Sequence, residues 1–452
     1  MKLDDKYLKI YNSQRPKEAA STLCWAPQKS LYIGLRGNVY TCCYNKTFPI
    51  GKYPHTSLHD IWFSKQRLKQ QEALQNNDLS LGCQNCKRII EAGNFKGLPA
   101  KNFDQLPLSE TGYPSKIDFE LSNECNLECI MCRGEFSSAI RRNREQLPPI
   151  PSPYNDDFLT ELEEFIPQLD NCHFLGGEPF LIPIYEKIWE LIRKINPAIR
   201  LSVQTNATLI TKRTKKLIES MNFDIAVSID SVEAKNYEQI RKNGKFEKVL
   251  ENITYLRKTC KTKGTNFTLS YCPMPQNWEE LEKIVAFANK LNCKLYFNKV
   301  DFPKECSFQS LEENKLEEIL NFWKQIEFPE SDAIEHYNKS AAEQVISQVF
   351  YLIENQISTP RVDSLSEYFE QFRSFVFEKE GKDGESTFQS IKEKLLFILN
   401  SFGENKLEAE SKILSIDYPS LYEGIRQVDK KHALHLFNSF MLPVPSLNQN
   451  DV

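Results

Sequence analysis

The chain has 452 residues, enough for two or three domains with at least one large core. Hydrophobic residues make up 40% and charged residues 26%, and 57 basic against 61 acidic side chains leave a formal net charge of -4. This balance argues against a dominant basic surface for nucleic acid, and no apolar run is long enough to cross a bilayer, so we expect no nucleic acid and no membrane among its partners.

Cysteine usage points to inorganic cofactors. The start "MKLDDKYLKIYNSQRPKEA" is polar and contains acidic residues, which is typical of neither a secretory signal nor a transit peptide, so we predict a cytoplasmic protein with reduced thiols. In such a compartment, clustered cysteines indicate metal or iron–sulfur ligands rather than disulfides. Eight of the thirteen cysteines crowd into the first 132 residues: Cys24, Cys42, Cys43, Cys83, Cys86, Cys125, Cys129 and Cys132. The other five are predicted to be scattered, small buried side chains: Cys172, Cys260, Cys272, Cys293 and Cys306.

Residues 1–100 form the first predicted region, which is rich in cysteine and poor in regular periodicity. Its exception is "SLHDIWFSKQRLKQQEALQ", where Leu58, Ile61, Trp62 and Leu68 recur near helical spacing after Ser57, a residue suited to cap a helix. The Gly- and Pro-containing segment 93–114 is predicted to be a linker.

Strand-like and helix-like patterns alternate over residues 115–325, which predicts a parallel α/β architecture. The candidate strands are 116–121, 172–176, 200–205, 224–229, 267–272 and 294–300. Six units are fewer than the eight of a closed barrel, so we predict a partial (β/α)6 TIM-like barrel with functional loops at the carboxyl ends of its strands. Residues 326–452 show helical patterns without an interpretable motif and are predicted to be a helical C-terminal region of unknown role.

The stretch "ELSNECNLECIMCRG" places Cys125, Cys129 and Cys132 directly after the first predicted barrel strand, with gaps of three and two residues. Cysteine thiolates are the usual ligands of iron–sulfur clusters, and a four-iron cluster held by only three of them keeps one iron open. Structural zinc would need a fourth ligand, which does not follow nearby, although a zinc site remains the alternative.

The spacing C-x3-C-x2-C resembles that of the radical S-adenosylmethionine (radical SAM) enzymes, and the resemblance extends over about residues 115–300 in the correct order. "FLGGEP" resembles the GGEP motif of the family, and "QTNAT" is similar to its T-N-G motif. One departure is Met131, which stands where the family usually has an aromatic residue near the adenine. Taken alone, each motif has a plainer reading as a turn, a strand end or a solvated helix face.

The resemblance implies the cofactors and their contacts. A [4Fe-4S] cluster would be held by Cys125, Cys129 and Cys132, and S-adenosylmethionine (SAM) would be cleaved reductively to methionine and a deoxyadenosyl radical that abstracts a substrate hydrogen. Glu178 would orient the ammonium group of SAM. A reducing electron donor such as flavodoxin or ferredoxin would be a partner. The full set of residues expected to contact SAM is Met131, Gly176, Gly177, Glu178, Pro179, Thr205, Asn206, Ser228 and Arg241.

The N-terminal region resembles the SPASM and Twitch domains, which carry an auxiliary cluster. The resemblance rests on Gly37 four residues before Cys42, on "CQNC" and on the "SLHDIW" segment. It implies an auxiliary [4Fe-4S] cluster that accepts an electron and is held by Cys24, Cys42, Cys83 and Cys86, with Cys43 as an adjacent spare. In most relatives this module follows the barrel, whereas here it precedes it. A four-cysteine zinc site is the alternative.

Two substrate classes follow from the resemblance. The first is a peptide or protein, modified as by the maturases of ribosomal peptides. The second is a small metabolite, acted on by a dehydrogenase, epimerase or cyclase. Cys272, at the end of the fifth predicted strand, is a candidate hydrogen-atom donor to a product radical, with a buried filler as its plainer reading. A non-catalytic zinc-binding scaffold is the alternative of a different class.

Overall fold

The structure is a computed structural model that describes residues 2–355 except 92, 94 and 96, and residues 364–437 except 403–405, 415, 417, 427–428, 431–432 and 435–436. Within these ranges one nine-stranded sheet has the order β3-β2-β1-β4-β5-β6-β7-β8-β9. Strands β4 to β9 are parallel and consecutive, β1 is parallel to β4, and β2 and β3 continue the edge in antiparallel pairing. The strands are β1 (Ser30–Ile33), β2 (Asn38–Tyr40), β3 (Gly51–Lys52), β4 (Lys116–Phe119), β5 (Asn171–Phe174), β6 (Arg200–Thr205), β7 (Asn222–Ser228), β8 (Phe267–Tyr271) and β9 (Lys294–Phe297).

The six parallel strands β4 to β9 are those that alternation predicted, and the α/β fold class with a partial barrel and a helical C-terminal region is confirmed. The main differences are at the carboxyl ends of three strands. Strands β4 and β5 end at Phe119 and Phe174, two residues earlier than predicted, and β9 ends at Phe297, three residues earlier, because the chain there leaves the ladder to form loops.

Helices flank the sheet and continue beyond it. They are α1 (Asp5–Ser13), α2 (Ala26–Lys29), α3 (Leu58–Trp62), α4 (Lys65–Gln75), α5 (Gln84–Glu91), α6 (Ser138–Asn143), α7 (Asp156–Phe165), α8 (Pro183–Ile195), α9 (Lys212–Ser220), α10 (Ala234–Ile240), α11 (Phe246–Lys263), α12 (Leu281–Lys290), α13 (Glu313–Trp323), α14 (Ala333–Asn355), α15 (Leu365–Glu380), α16 (Gly384–Ser401), α17 (Lys406–Leu414) and α18 (Tyr418–Ile425). None of the helices within the described ranges is long and apolar enough to cross a membrane.

The two faces of the sheet differ in chemistry because side chains alternate along each strand. The face toward the helices is apolar and buried, with residues such as Phe119, Phe174 and Val203 in the main core. The opposite, inner face is polar. One row of paired positions crosses five strands there and consists of Tyr32, Asp118, His173, Ser202 and Asp224. A polar inner face leaves the interior of the partial barrel suited to a ligand rather than to a packed core.

The N-terminal region is joined to the barrel through strands β1 to β3, and its residues Leu58, Ile61 and Trp62 belong to the main core. The single helix expected there is divided into α3 and α4, and Ser57 caps the first by accepting a hydrogen bond from the Asp60 backbone. Leu68, expected on the apolar face, is 48% exposed because the break at Phe63 and Ser64 re-orients the second helix.

Two smaller cores lie apart from the main one. The first contains Tyr11, Leu23 and Ile90, with Cys24, Cys83 and Cys86 packed against it. The second is built within the C-terminal helical region from α15 to Phe437. Helix α14, in contrast, packs on the main core through Ala342, Val345 and Val349. The domain boundaries 1–100, 115–325 and 326–452 therefore stay predictions, and residues 438–452 lie outside the described part of the chain.

Replacing Phe174 with Ala should destabilise the fold by about 3–5 kcal/mol, because its ring is fully buried against Phe119, Tyr185 and Trp189. Urea unfolding followed by circular dichroism measures this free energy. The matched control is Leu68→Ala, expected to stay within about 0.5 kcal/mol of the parent because that side chain is largely solvated. Equal losses in the two variants would contradict the assignment of the core.

Candidate functional site

The three-cysteine loop, residues 120–137, connects β4 to α6 at the carboxyl end of the sheet. Its path is held by internal hydrogen bonds: Asn123 Nδ2 donates to the Gly134 carbonyl at 2.7 Å, and the Ser137 hydroxyl donates to the Leu127 carbonyl at 2.7 Å. The loop also pairs with the end of α10, since the Ile130 backbone N–H donates to the Ile240 carbonyl at 2.9 Å. The cysteines are therefore placed by a fixed backbone and not by a free coil.

The glycine pair after β5 packs directly on this loop. The Gly177 N–H donates to the Ser122 carbonyl at 3.1 Å, and the Glu178 N–H donates to the Glu124 carbonyl at 2.7 Å. A Cβ on Gly176, whose φ is +102°, would lie 2.3 Å from the Ser122 oxygen, and one on Gly177 would lie 2.1 Å from the Glu124 oxygen. The glycines are thus required for the approach of the two loops, a role that the resemblance did not imply.

The Glu178 carboxylate is buried and joins the loop after β5 to the loop after β6. It accepts hydrogen bonds from the Thr205 hydroxyl and from the Asn206 backbone N–H, both at 2.7 Å. Burial raises its pKa, and these bonds act in the opposite direction. Pro179, directly after it, is buried at the start of a short 3-10 turn. Asn206 then reaches the cysteines, with its Nδ2 3.9 Å from Cys125 Sγ.

A buried ion pair lies on the other side of the cysteines. Arg241 Nη2 is 2.7 Å from Asp230 Oδ2, and Arg241 Nη1 is 3.9 Å from Cys129 Sγ. Asp230 is itself completely buried and accepts a hydrogen bond from the Cys272 backbone N–H at 2.8 Å. The solvated reading of Arg241 is wrong, and loops after β4, β7 and β8 meet at this pair.

Met131 and Cys272 lie in a small apolar group at the same edge, packed against the buried residues Ile240, Met274 and Cys306. The remaining predicted scattered cysteines, Cys172, Cys260, Cys293 and Cys306, are buried as expected, whereas Cys272 is only partly buried. Burial, followed by the charge of Asp230, raises the pKa of the Cys272 thiol well above its ordinary value, so this thiol keeps its proton.

Ser228 belongs to a ladder of uncharged polar side chains on the inner face. Gln204 Nε2 donates to Ser228 at 3.1 Å and to Ser270 at 3.2 Å, and Asn298 Nδ2 donates to Ser270 at 2.5 Å. Gln204 is exposed although both of its chain neighbours are buried, so it faces the open interior of the barrel. The ladder therefore offers hydrogen-bonding groups without charge beside the cysteine loop.

The three sulfurs are close enough to influence each other's protonation. Burial raises the pKa of Cys125 to about 11 and that of Cys129 to about 12, and negative charge on the neighbouring cysteines adds to both shifts. Three thiolates so placed need a bound cation to remain deprotonated. Within the described ranges, no group of three or more Cys, His, Asp or Glu side chains is arranged to hold a single metal ion.

Four of the five N-terminal cysteines line one cavity. It lies between the end of β2 and helix α5, and its other walls are mostly apolar, including Leu74, Leu79 and Ile90. Burial raises the pKa of Cys24 and of Cys86 to about 12, and in both cases the charge of another cysteine of the set raises it further. The cavity is lined by Cys24, Cys42, Cys83 and Cys86. A four-cysteine donor set in an apolar pocket fits a fully ligated cluster.

Cys43 is directed differently from Cys42, and it is not among the residues that line this cavity. Its pKa is raised to about 11 by burial and then by the charge of Asp118, a residue of the inner face of the sheet. The structure thus separates the adjacent pair: Cys42 lies with the N-terminal set, whereas Cys43 lies toward the barrel interior.

Sequence reasoning missed several residues of the site. They are Asp230, Asn126, Tyr237 and the backbone carbonyls of Ser122 and Glu124. Asp230 follows the predicted strand end in "SIDS", and an acid in that position was the available clue. The others act through backbone atoms or through contacts between distant loops, such as the Asn206 Nδ2 bond to Asn126 Oδ1 at 3.1 Å, which no local pattern reveals.

Two family models match the chain. Residues 119–288 match the radical SAM superfamily, and residues 24–87 match the SPASM iron–sulfur cluster-binding domain. The expected pairing of a radical SAM domain with an N-terminal SPASM-like domain is therefore confirmed. SAM and iron–sulfur clusters are the cofactors of these families, and the residues described above provide a donor set for each cluster.

Curated relatives are similar over part of their length. The AdoMet-dependent heme synthase of Methanosarcina barkeri is 28% identical over 42% of this chain and 51% of its own. A probable GTP 3',8-cyclase of Methanocella arvoryzae is 32% identical over 31% of this chain and 42% of its own. The chain thus spans about half the length of these relatives or less.

Solved structures with a similar fold include Streptococcus suis SuiB bound to S-adenosylmethionine, with 13% identity, a TM-score of 0.35, and coverage of 56% of this chain and 60% of SuiB. Native anSMEcpe with bound AdoMet has 20% identity and a TM-score of 0.36, and the match covers 46% of this chain and 60% of anSMEcpe.

Replacing Gly177 with Ala should lower the occupancy of the three-cysteine site severalfold, because the new Cβ would lie 2.1 Å from the Glu124 oxygen and push the loops apart. Iron and sulfide content after anaerobic reconstitution, with electron paramagnetic resonance of the reduced cluster, measures this. Gly264→Ala is the control for a general loss of stability: its φ of +67° strains the backbone of an alanine, but a Cβ there meets nothing within 4 Å, so the cysteine loop should keep its contacts. Full occupancy in Gly177→Ala would show that the loop contact is dispensable.

Proposed function

We propose that the protein cleaves SAM reductively and uses the resulting radical to abstract hydrogen from a substrate. The proposal is supported by the match of residues 119–288 to the radical SAM superfamily and by the SPASM cluster-binding match that precedes it in the chain. The observation that carries this proposal is the meeting of four loops at the cysteines, with Asn206 and Arg241 each 3.9 Å from a cysteine sulfur. When bound, the three-cysteine cluster supplies the electron that splits SAM into methionine and a deoxyadenosyl radical.

The chain's own residues bind and orient the reactants. Cys125, Cys129 and Cys132 hold the cluster. Glu178, whose carboxylate has three donors of its own and one remaining acceptor position, fixes the loop of Thr205 and Asn206 and stays the candidate partner of the SAM ammonium group. The Gln204–Ser228–Ser270–Asn298 ladder faces the interior and is the candidate contact to the ribose and the substrate.

A peptide or protein substrate is favoured by the charges of the inner face. Three described cations on the sheet's inner side have a carboxylate partner: Lys46 with Glu120 at 3.0 Å, Lys116 with Asp118 at 2.9 Å and Arg200 with Asp224 at 2.6 Å. A fourth, Lys294, lies over the Tyr337 ring. A nucleoside triphosphate would need unpaired cations. Exposed Tyr44 and Tyr296 and the amide–hydroxyl ladder suit the neutral backbone of a peptide instead.

The auxiliary cavity supports an oxidative outcome. Cys24, Cys42, Cys83 and Cys86 would hold a cluster there by all four sulfurs, and such a cluster would have no open iron and could accept the second electron that an oxidised substrate loses. Cys272 supports a second candidate, an epimerase of a peptide or a small metabolite, because its protonated thiol lies beside the Asp230–Arg241 pair and can return a hydrogen atom to a substrate radical.

The electron donor is proposed to dock beside the three-cysteine loop. Arg142, Arg144 and Lys242 are exposed there and have no described ion pair, and Arg144 Nη2 contacts the Cys132 carbonyl. The nearby Glu128 is held by the amides of Asn143 and Asn243. Such a surface fits an acidic one-electron carrier such as flavodoxin or ferredoxin.

Replacing Cys125, Cys129 and Cys132 together with Ala should abolish cleavage of SAM to deoxyadenosine, because no cluster can be held there. Replacing Cys24 and Cys86 with Ala should spare uncoupled cleavage and stop product formation. Deoxyadenosine is quantified by liquid chromatography, and products by mass spectrometry of peptides encoded beside the gene. Cys43→Ala is the control expected to retain the auxiliary cluster.

The same assay in D2O separates the two outcomes. Oxidation leaves no deuterium in the product, whereas epimerisation introduces one deuteron that Cys272→Ala should eliminate. If zinc rather than iron is found in the purified chain and reduction yields no deoxyadenosine, the enzyme proposal is wrong.

The double charge reversal Arg142→Glu with Lys242→Glu should slow cluster reduction by flavodoxin hydroquinone about tenfold at low salt, because like charges then meet. Stopped-flow absorbance measures the rate. Dithionite, a small reductant, should reduce the variant as fast as the parent. Arg193→Glu with Lys194→Glu, on α8, is the matched control with no expected effect. An unchanged rate of reduction by flavodoxin would contradict the proposal that the donor docks on this surface.

A further inference from the structure

Arg241 is held in a position that the proposed SAM contact alone does not explain. Its side chain is 9% exposed, and its partner Asp230 is completely buried. One guanidinium nitrogen, Nη2, binds the carboxylate at 2.7 Å, and another, Nη1, lies 3.9 Å from Cys129 Sγ. The pair is therefore oriented, with its positive end toward the sulfur and its negative end away from it.

The negative end is fixed by other elements. Asp230 Oδ1 accepts the Cys272 N–H at 2.8 Å, and the Asp230 carbonyl accepts the Asn277 amide, also at 2.8 Å. Asn277 Nδ2 in turn binds the Cys272 carbonyl at 2.9 Å. Because these bonds tie the ends of β7 and β8 together, the carboxylate cannot turn toward the cysteines.

Tyr237 adds an unpaired donor at the same place. Its side chain is fully buried one helical turn before Arg241, whose N–H donates to the Tyr237 carbonyl at 2.7 Å. The Tyr237 hydroxyl and Arg241 Nε have no hydrogen-bond partner among the described residues, and charge on Cys129 acts on the hydroxyl. Buried donors without partners are rare, and they point to a group that the protein side chains do not supply.

These groups share one electrostatic effect. Reduction adds a negative charge to the body that Cys129 binds, and a buried cation whose Nη1 lies 3.9 Å from that ligand sulfur stabilises the added charge. The unpaired Tyr237 hydroxyl and Arg241 Nε are further donors beside it. Hydrogen bonds and charges next to ligand sulfurs are known to shift cluster potentials.

We propose that the Asp230–Arg241 pair and the Tyr237 hydroxyl set the reduction potential of the three-cysteine cluster, holding it within reach of its electron donor. The positive end of the pair, Arg241, lies next to the Cys129 sulfur and raises the reduction potential of the cluster. Asp230 limits this rise because its negative charge partly neutralises Arg241. This inference rests on the proposed function only in that a cluster occupies the site, and it concerns positioning and tuning rather than contact with the reacting atoms.

Redox titration of the cluster without SAM, followed by electron paramagnetic resonance, tests the proposal. Arg241→Gln should shift the midpoint potential to more negative values, whether Asp230 then stays charged or takes up a proton. Asp230→Asn should shift it to more positive values, because Arg241 is then unopposed. The double variant should lie between the two single variants. Tyr237→Phe, which removes one oxygen atom, should give a smaller negative shift.

Controls separate tuning from damage and from SAM binding. Arg200→Gln removes a more exposed ion pair with Asp224 at the opposite end of the sheet, far from the cysteines, and should leave the potential unchanged. Cluster content and circular dichroism verify that each variant is intact. The affinity for SAM is measured separately. The tuning proposal fails if Arg241→Gln, Asp230→Asn and Tyr237→Phe all keep the parent potential. If Arg241→Gln at the same time weakens SAM binding, the SAM contact and the proposed function still stand.

Discussion

The site depends on the close backbone contact between the three-cysteine loop and the loop after β5. Hydrogen bonds from Gly177 and Glu178 to the carbonyls of Ser122 and Glu124 hold the two loops together, and only residues without a Cβ permit this approach. This contact also determines the positions of the residues that follow it. Glu178 is directed into the fold, it binds the loop of Thr205 and Asn206, and Asn206 is brought to Cys125.

The sheet connects the two cysteine sets. Because β1 pairs in parallel with β4, the hairpin that lies between Cys24 and Cys42 extends the same sheet that presents the barrel cysteines. A module placed before the barrel in the chain can in this way reach the barrel interior through shared strands. Cys42 and Cys43 mark the boundary, with Cys42 lining the auxiliary cavity and Cys43 lying toward Asp118 on the inner face.

Electrostatics divide the interior into two zones. Toward the amino ends of the strands, on the inner face, Lys116 is paired with Asp118 and Arg200 with Asp224, so these pairs present little net charge to a ligand. At the carboxyl end of the strands, in contrast, the Asp230–Arg241 pair is buried beside a ligand sulfur, where low dielectric makes its field effective. Under the proposed function, the substrate would meet paired charges and uncharged polar groups, and the cofactors would lie beside the buried Asp230–Arg241 pair. This arrangement is consistent with radical chemistry on an uncharged part of the substrate.

The sequence alone determined the six parallel strands, the two cysteine sets and the family, because periodicity and motif spacing are local properties of the chain. Tertiary structure decided the rest. The union of N-terminal hairpin and barrel depends on pairing between residues about 86 positions apart, as in Ser30 with Lys116, and no local pattern specifies such a partner. The same holds for the pairing of Asp230 with Arg241: the family resemblance indicated Arg241 as a SAM contact, but only folding brings it to Asp230 and to Cys129.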